Sequence, residues 1–163
     1  MRWPLLALLP LLLWSSSVQA QTVMVEVRFL EERIEFCEQL GVGFDGLLDS
    51  IEPRLRFISA LDESDEAELL GDVQEATDRK AEVDACDRDL QGQVETLEAK
   101  IGDGAVGQTG DSATAEEALA LIALQERFEA GKRRVDESFG RRQQQQREAR
   151  LEQAQALAQD LVE

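Results

Sequence analysis

From residue 69 to residue 101 the chain carries one apolar stripe whose spacing never falters. Leu69, Val73, Ala76, Lys80, Val83, Asp87, Leu90, Val94, Leu97 and Ile101 follow one another at alternating steps of four and three. Such a pattern keeps one face of an α-helix in register and is incompatible with a strand, whose period is two. It predicts an unbroken helix over residues 66–101, about 54 Å long at 1.5 Å per residue. Asp62, Glu63, Ser64 and Asp65 precede it, and short oxygen-bearing side chains there satisfy free backbone N–H groups. A helix with one apolar stripe must lay it against another helix, so the fold class is all-α. Lys80 and Asp87 are polar within the stripe. Polar residues at such positions lower stability and select register or partner number.

The same arithmetic extends to both sides. Val23, Val27, Leu30, Ile34 and Cys37 step by four and three, which predicts a helix over about 23–40. Gly41 and Gly43 are expected to end it. Phe44, Leu48, Ile51, Leu55 and Ile58 repeat the pattern, with Pro53 expected to kink or divide that segment. After residue 101, Gly102, Gly104, Gly107 and Gly110 form a flexible connector over 102–114. Thr114 and Glu117 then make a capping box that opens a C-terminal helix over 115–163. The expected architecture is a long antiparallel helical hairpin with coiled-coil character. It joins an acidic heptad helix over 62–101 to the C-terminal helix, and one or two shorter helices over 21–61 thicken its base.

Charge suggests a register for that hairpin. Residues 62–98 hold 14 acids and 3 bases, and residues 132–150 hold 7 bases and 3 acids. Folding the two helices about the glycine connector makes facing residue numbers sum to 216. That register sets Asp84 near Lys132, Glu82 near Arg134, Glu75 near Arg141 and Glu66 near Arg150, with Val94 meeting Ile122 and Leu97 meeting Leu119. Beyond residue 141 the C-terminal helix offers little apolar surface. The register therefore leaves a groove along Leu69, Val73, Val83 and Val135 for a protein partner or a second copy.

The first 20 residues resemble a cleavable secretory leader. Met1-Arg2 is positive, Leu5 to Trp14 is apolar, and Val18-Gln19-Ala20 offers small residues to a peptidase. The apolar run has 10 residues, against the roughly 20 that span a bilayer. Cleavage after Ala20 removes one arginine, so 16 bases face 34 acids and the net charge becomes −18. That charge repels nucleic acid and anionic membrane. The two cysteines, Cys37 and Cys86, are expected to form a disulfide in an oxidising compartment. With 14 arginines against 3 lysines, the composition suggests a high-GC bacterium and export to the periplasm.

The chain has no histidine, which removes Ser-His and Cys-His pairs and every imidazole metal ligand. Its many carboxylates are expected on solvated helix faces, where a paired-carboxylate hydrolase would need a walled cleft. Catalysis is therefore not expected. One stretch, 87–98, resembles an EF-hand calcium loop. Asp87, Asp89, Gln91 and Glu98 stand at loop positions 1, 3, 5 and 12, with Gly92 at position 6. The resemblance covers 12 residues, lacks a second loop, and competes with the heptad running through the same segment. The expected role is an exported helical interaction protein, an envelope adaptor, scaffold or assembly factor. A periplasmic holdase chaperone and a calcium-binding protein are the alternatives.

Overall fold

A computed structural model describes residues 9–102 and 115–161. All regular secondary structure among these residues is helical. Helix α1 spans Leu9–Arg56, a 3-10 turn spans Ile58–Ala60, α2 spans Glu63–Lys100, α3 spans Ala115–Phe139 and α4 spans Arg141–Gln159. Residues 1–8, with the first four of the leader's ten apolar residues, and residues 103–114, nearly all of the glycine connector, lie outside the described residues.

Helix α1 is longer than the sequence suggests. Neither Gly41 nor Gly43 ends it, and Pro53 lies inside it, one turn before its end. The buried stripe explains why. Val23, Val27, Leu30, Ile34, Cys37, Gly41, Phe44, Leu48, Ile51 and Leu55 keep the four-three alternation across Gly41. Gly41 therefore serves as a stripe position. A glycine that terminates a helix usually adopts positive φ, and no described glycine does so. Pro53 removes one backbone donor, a small loss where the helix stops three residues later.

The described residues fall into two compact units, drawn from Met1–Arg33 with Gln91–Arg133 and from Ile34–Leu90 with Arg134–Glu163. The first packs Val27 and Leu30 of α1, Val94 and Leu97 of α2, and Leu124 and Phe128 of α3. Here α1 and α2 run antiparallel, with Lys100 bonded to Glu26 at 2.7 Å. Helices α1 and α3 run parallel, with Arg127 on Glu31. The second unit buries Phe44, Leu48 and Ile51 of α1 against Leu69, Ala76 and Leu90 of α2, closed by Phe139, Leu151 and Ala154. Cys37 and Cys86 are bonded within it, their Cα atoms 5.8 Å apart.

Helices α2 and α3–α4 are antiparallel, but not in the register that the charges suggest. Lys132 bonds Glu98 in the first unit, while Gln144 bonds Asp87 and Gln155 bonds Thr77 in the second. These numbers sum to 230, 231 and 232, not 216. None of the four expected ion pairs forms. The displacement is close to two heptads, a shift that leaves an apolar seam of period seven unchanged. Of the arginines expected on α2, Arg134 and Arg150 face α1 instead. In the second unit Arg134 bonds Glu38, Arg147 bonds Asp45, and Arg150 bonds Asp49 and Glu52.

Candidate interaction surface

The groove expected along Leu69, Val73, Val83 and Val135 does not exist. All four side chains are buried in the second unit. The extended α1 supplies the apolar surface that covers them. The predicted Val94–Ile122 and Leu97–Leu119 contacts fail with the register. Val94 and Leu97 are buried, whereas Leu119 and Ile122 are exposed on the outer face of α3.

The polar seam positions are satisfied in place. Lys80 reaches Asp84 one turn along α2. Asp87, almost fully buried, accepts a hydrogen bond from Gln144. Asp89, Gln91 and Glu98 lie on the same unbroken helix, and Glu98 accepts from Lys132. The EF-hand-like stretch 87–98 is thus helical throughout. Coiling a ligand loop around an ion there would mean unwinding this part of α2.

The second unit contains a polar group that the sequence does not reveal. Arg147 of α4 is buried and donates through Nε and Nη2 to both carboxylate oxygens of Asp45, at 3.1 and 2.9 Å. Its Nη1 donates to the Ser138 carbonyl at the end of α3. The guanidinium lies against Gly41. A methyl group built there would sit 2.7 Å from Nη2. Gly140 breaks α3 from α4, with φ −58° and ψ 156°, and a Cβ at this position would fall 2.2 Å from the Asp136 carbonyl oxygen. The break has a purpose in phase. Val135 and Leu151 are both buried, yet 16 residues of continuous helix would rotate them about 160° apart, at about 100° per residue. Interrupting the helix at Gly140 lets α4 restart with its stripe turned inward.

Arg150, part-buried nearby, binds Glu52 and Asp49. Burial alone would lower its pKa, but these hydrogen bonds and charges outweigh it, so the pKa is raised. Such pairs fix which helix the basic residues face. Exposed pairs of this kind contribute only about 0.2–1 kcal/mol each.

What remains open to solvent is the back of α1. Val25, Phe29 and Phe36 are 65%, 60% and 50% exposed. At about 100° per residue Val25 and Phe29, both in the first unit, fall within about 40° of each other, on the side away from the buried stripe. Val42 and Phe57 are exposed as well, but isolated, and Leu119 and Ile122 lie one turn apart on α3. No helix among the described residues is long and apolar enough to cross a membrane. Comparison with protein-family models, with curated proteins and with solved structures finds no match to this chain.

Proposed function

We propose that this chain is an exported, non-catalytic interaction protein of the cell envelope, an adaptor, scaffold or assembly factor. The observation that carries the reading is the pair of exposed apolar residues Val25 and Phe29, one turn apart on the outside of α1 in the first unit. Single exposed apolar residues are ordinary, but two stacked one turn apart on one face, one of them aromatic, suit a surface for another protein. The secretory pattern of residues 1–20 supports export, and the bonded Cys37–Cys86 pair suits an oxidising compartment. The absence of histidine argues against most nucleophilic and general-base chemistry.

The test is a photo-reactive residue at position 29, used in envelope extracts of the source cells. Cross-links to one defined protein are expected, and they should vanish when the probe is moved to Gly71 on α2. Capture of many unfolded exported chains in place of one would favour the holdase reading. Failure to cross-link anything, by a chain shown to be exported, would remove the interaction reading.

A further inference from the structure

We infer that residue 21 is a modification site: once residues 1–20 are removed, the new N-terminal Gln21 closes on itself to a pyroglutamyl lactam. The inference rests on the export reading above and deepens it, because it requires cleavage after Ala20. That cut leaves an N-terminal glutamine, whose side-chain carbonyl carbon can reach its own α-amine in an unstrained ring. The step needs no co-reactant. The uncharged α-amine attacks Cδ of the side-chain amide, and a C–N bond forms. The bond from Cδ to Nε2 breaks, and that nitrogen leaves as ammonia with the proton given up by the amine. Nothing is oxidised or reduced, and the chain loses one ammonia and its α-amino charge.

The local structure of the first unit favours this closure. Helix α1 runs through the predicted cut, from Leu9 to Arg56, and Gln21 is exposed on it. The buried stripe begins at Val23, 7% exposed, and continues at Val27, 1% exposed. The packing that holds α1 therefore starts two residues inside the new end, so the processed helix begins at Gln21 or beside it. The start of a helix carries a partial positive charge on its free backbone N–H groups. An uncyclised Gln21 would set its α-ammonium on that charge, like on like. Thr22, Val23, Met24 and Val25 offer no carboxylate in the first turn. The nearest acid along α1, Glu26, already accepts from Lys100 at 2.7 and 2.8 Å. The helix end thus disfavours the charged amine and favours the uncharged one that attacks Cδ. The lactam, being neutral, removes the repulsion.

The modification also guards the fold. Exopeptidases that trim a chain from its N-terminus bind the free α-amine, which the lactam lacks. Only Gln21 and Thr22 precede the first buried residue, so trimming would soon reach Val23 and then Val27. Chain ends are where such proteolysis concentrates. Cyclised Gln21 closes that route without altering any residue of the core.

The test takes the protein from the exported fraction of the source cells and labels its amines before any digestion. Trypsin then releases residues 21–28, a peptide that ends at Arg28 and contains no lysine. For the wild type this peptide should be unlabelled and one ammonia lighter than its sequence. Pyroglutamyl peptidase should remove residue 21 from it and expose Thr22. Gln21→Asn, exported in parallel, should give the peptide labelled and at the full mass of its sequence, because asparagine could close only a smaller, strained ring. A wild-type peptide that begins at residue 21 and carries the label overturns the lactam and leaves the export reading standing. A chain that keeps residues 1–20 overturns both. An ammonia deficit that appears equally in Gln21→Asn places the loss at another residue and overturns the assignment to Gln21.

Discussion

Replacing Gly41 with alanine sets two effects of opposite sign against each other. In an ordinary helix interior, alanine is favoured over glycine by about 1 kcal/mol. Position 41 is not ordinary, because the new methyl would stand 2.7 Å from Nη2 of Arg147, 3.2 Å from Cζ and 3.3 Å from Nη1. An arginine tip can normally move aside. This one is held by two hydrogen bonds that it donates to Asp45 and one to the Ser138 carbonyl, with its side chain only 8% exposed. Hydrogen bonds to charged groups contribute about 1.5–3 kcal/mol each, and a buried cation displaced from its partner costs several more. Asp45 is partly open to water, so solvent recovers some of that loss. The expected balance is a net destabilisation of about 1–3 kcal/mol. The decisive experiment is the double-mutant cycle with Arg147→Ala, followed by chemical denaturation with the disulfide intact. Without the guanidinium nothing opposes the methyl, and Gly41→Ala should then stabilise by about 1 kcal/mol. A change of sign between the two backgrounds is the result required. If Gly41→Ala stabilises the wild type, or has the same sign in both backgrounds, Arg147 does not occupy the space beside Gly41.

Other substitutions follow from the same geometry. Gly140→Ala should destabilise by about 1–3 kcal/mol in either background, since its Cβ meets main chain at the Asp136 carbonyl and not a movable side chain; thermal melts followed at 222 nm would show it. Gly43→Ala and Gly71→Ala, where a Cβ meets nothing within 4 Å, should each stabilise by about 1 kcal/mol in the same melts. Cys37 and Cys86 are buried, so alkylation of the native protein should label neither until reductant and denaturant are both present. Replacing both with alanine should cost roughly 3–4 kcal/mol, the loop-closure value for a separation of 49 residues. Millimolar calcium should leave the melting temperature where magnesium leaves it. A calcium-specific rise that disappears in Asp89→Ala would show that residues 87–98 leave the helical state to bind the ion.

Helices were legible in this sequence because their signal is local. The seam of α2 lies where its period puts it, from Leu69 to Leu97, and Cys37 and Cys86 are bonded. The register between helices was not legible, and the reason is physical. A heptad seam matches itself again after seven residues, so apolar spacing cannot distinguish one alignment from another displaced by two heptads. Charge was meant to break that tie. It misled because the sequence does not say which of two acidic helices the arginines face. Arg134 and Arg150 were matched to α2, whereas Glu38, Asp49 and Glu52 of α1 receive them. One error then produced another. The mistaken register set Leu69 and Val73 against the polar stretch 141–150, and so created a groove that the folded chain does not have.

Gly41, Gly140 and Arg147 each look like a defect when met alone: a glycine in a helix, a second glycine in a helix, and an arginine on an apolar stripe. Together they are one device. The C-terminal stripe advances by four residues from Val135 to Phe139 and again from Arg147 to Leu151, which a straight helix cannot keep on one side. Gly140 supplies the break that resets the phase. The break leaves the Ser138 carbonyl at a helix end inside the bundle, and Arg147 bonds it. The guanidinium then needs a counter-charge and room, which Asp45 and the missing side chain of Gly41 provide. No window of sequence contains all three, since Arg147 and Asp45 are 102 residues apart. The back of α1 escaped notice for a simpler reason. Val25, Phe29 and Phe36 were present in the sequence at helical spacing, but the stronger stripe beside them drew the whole reading inward.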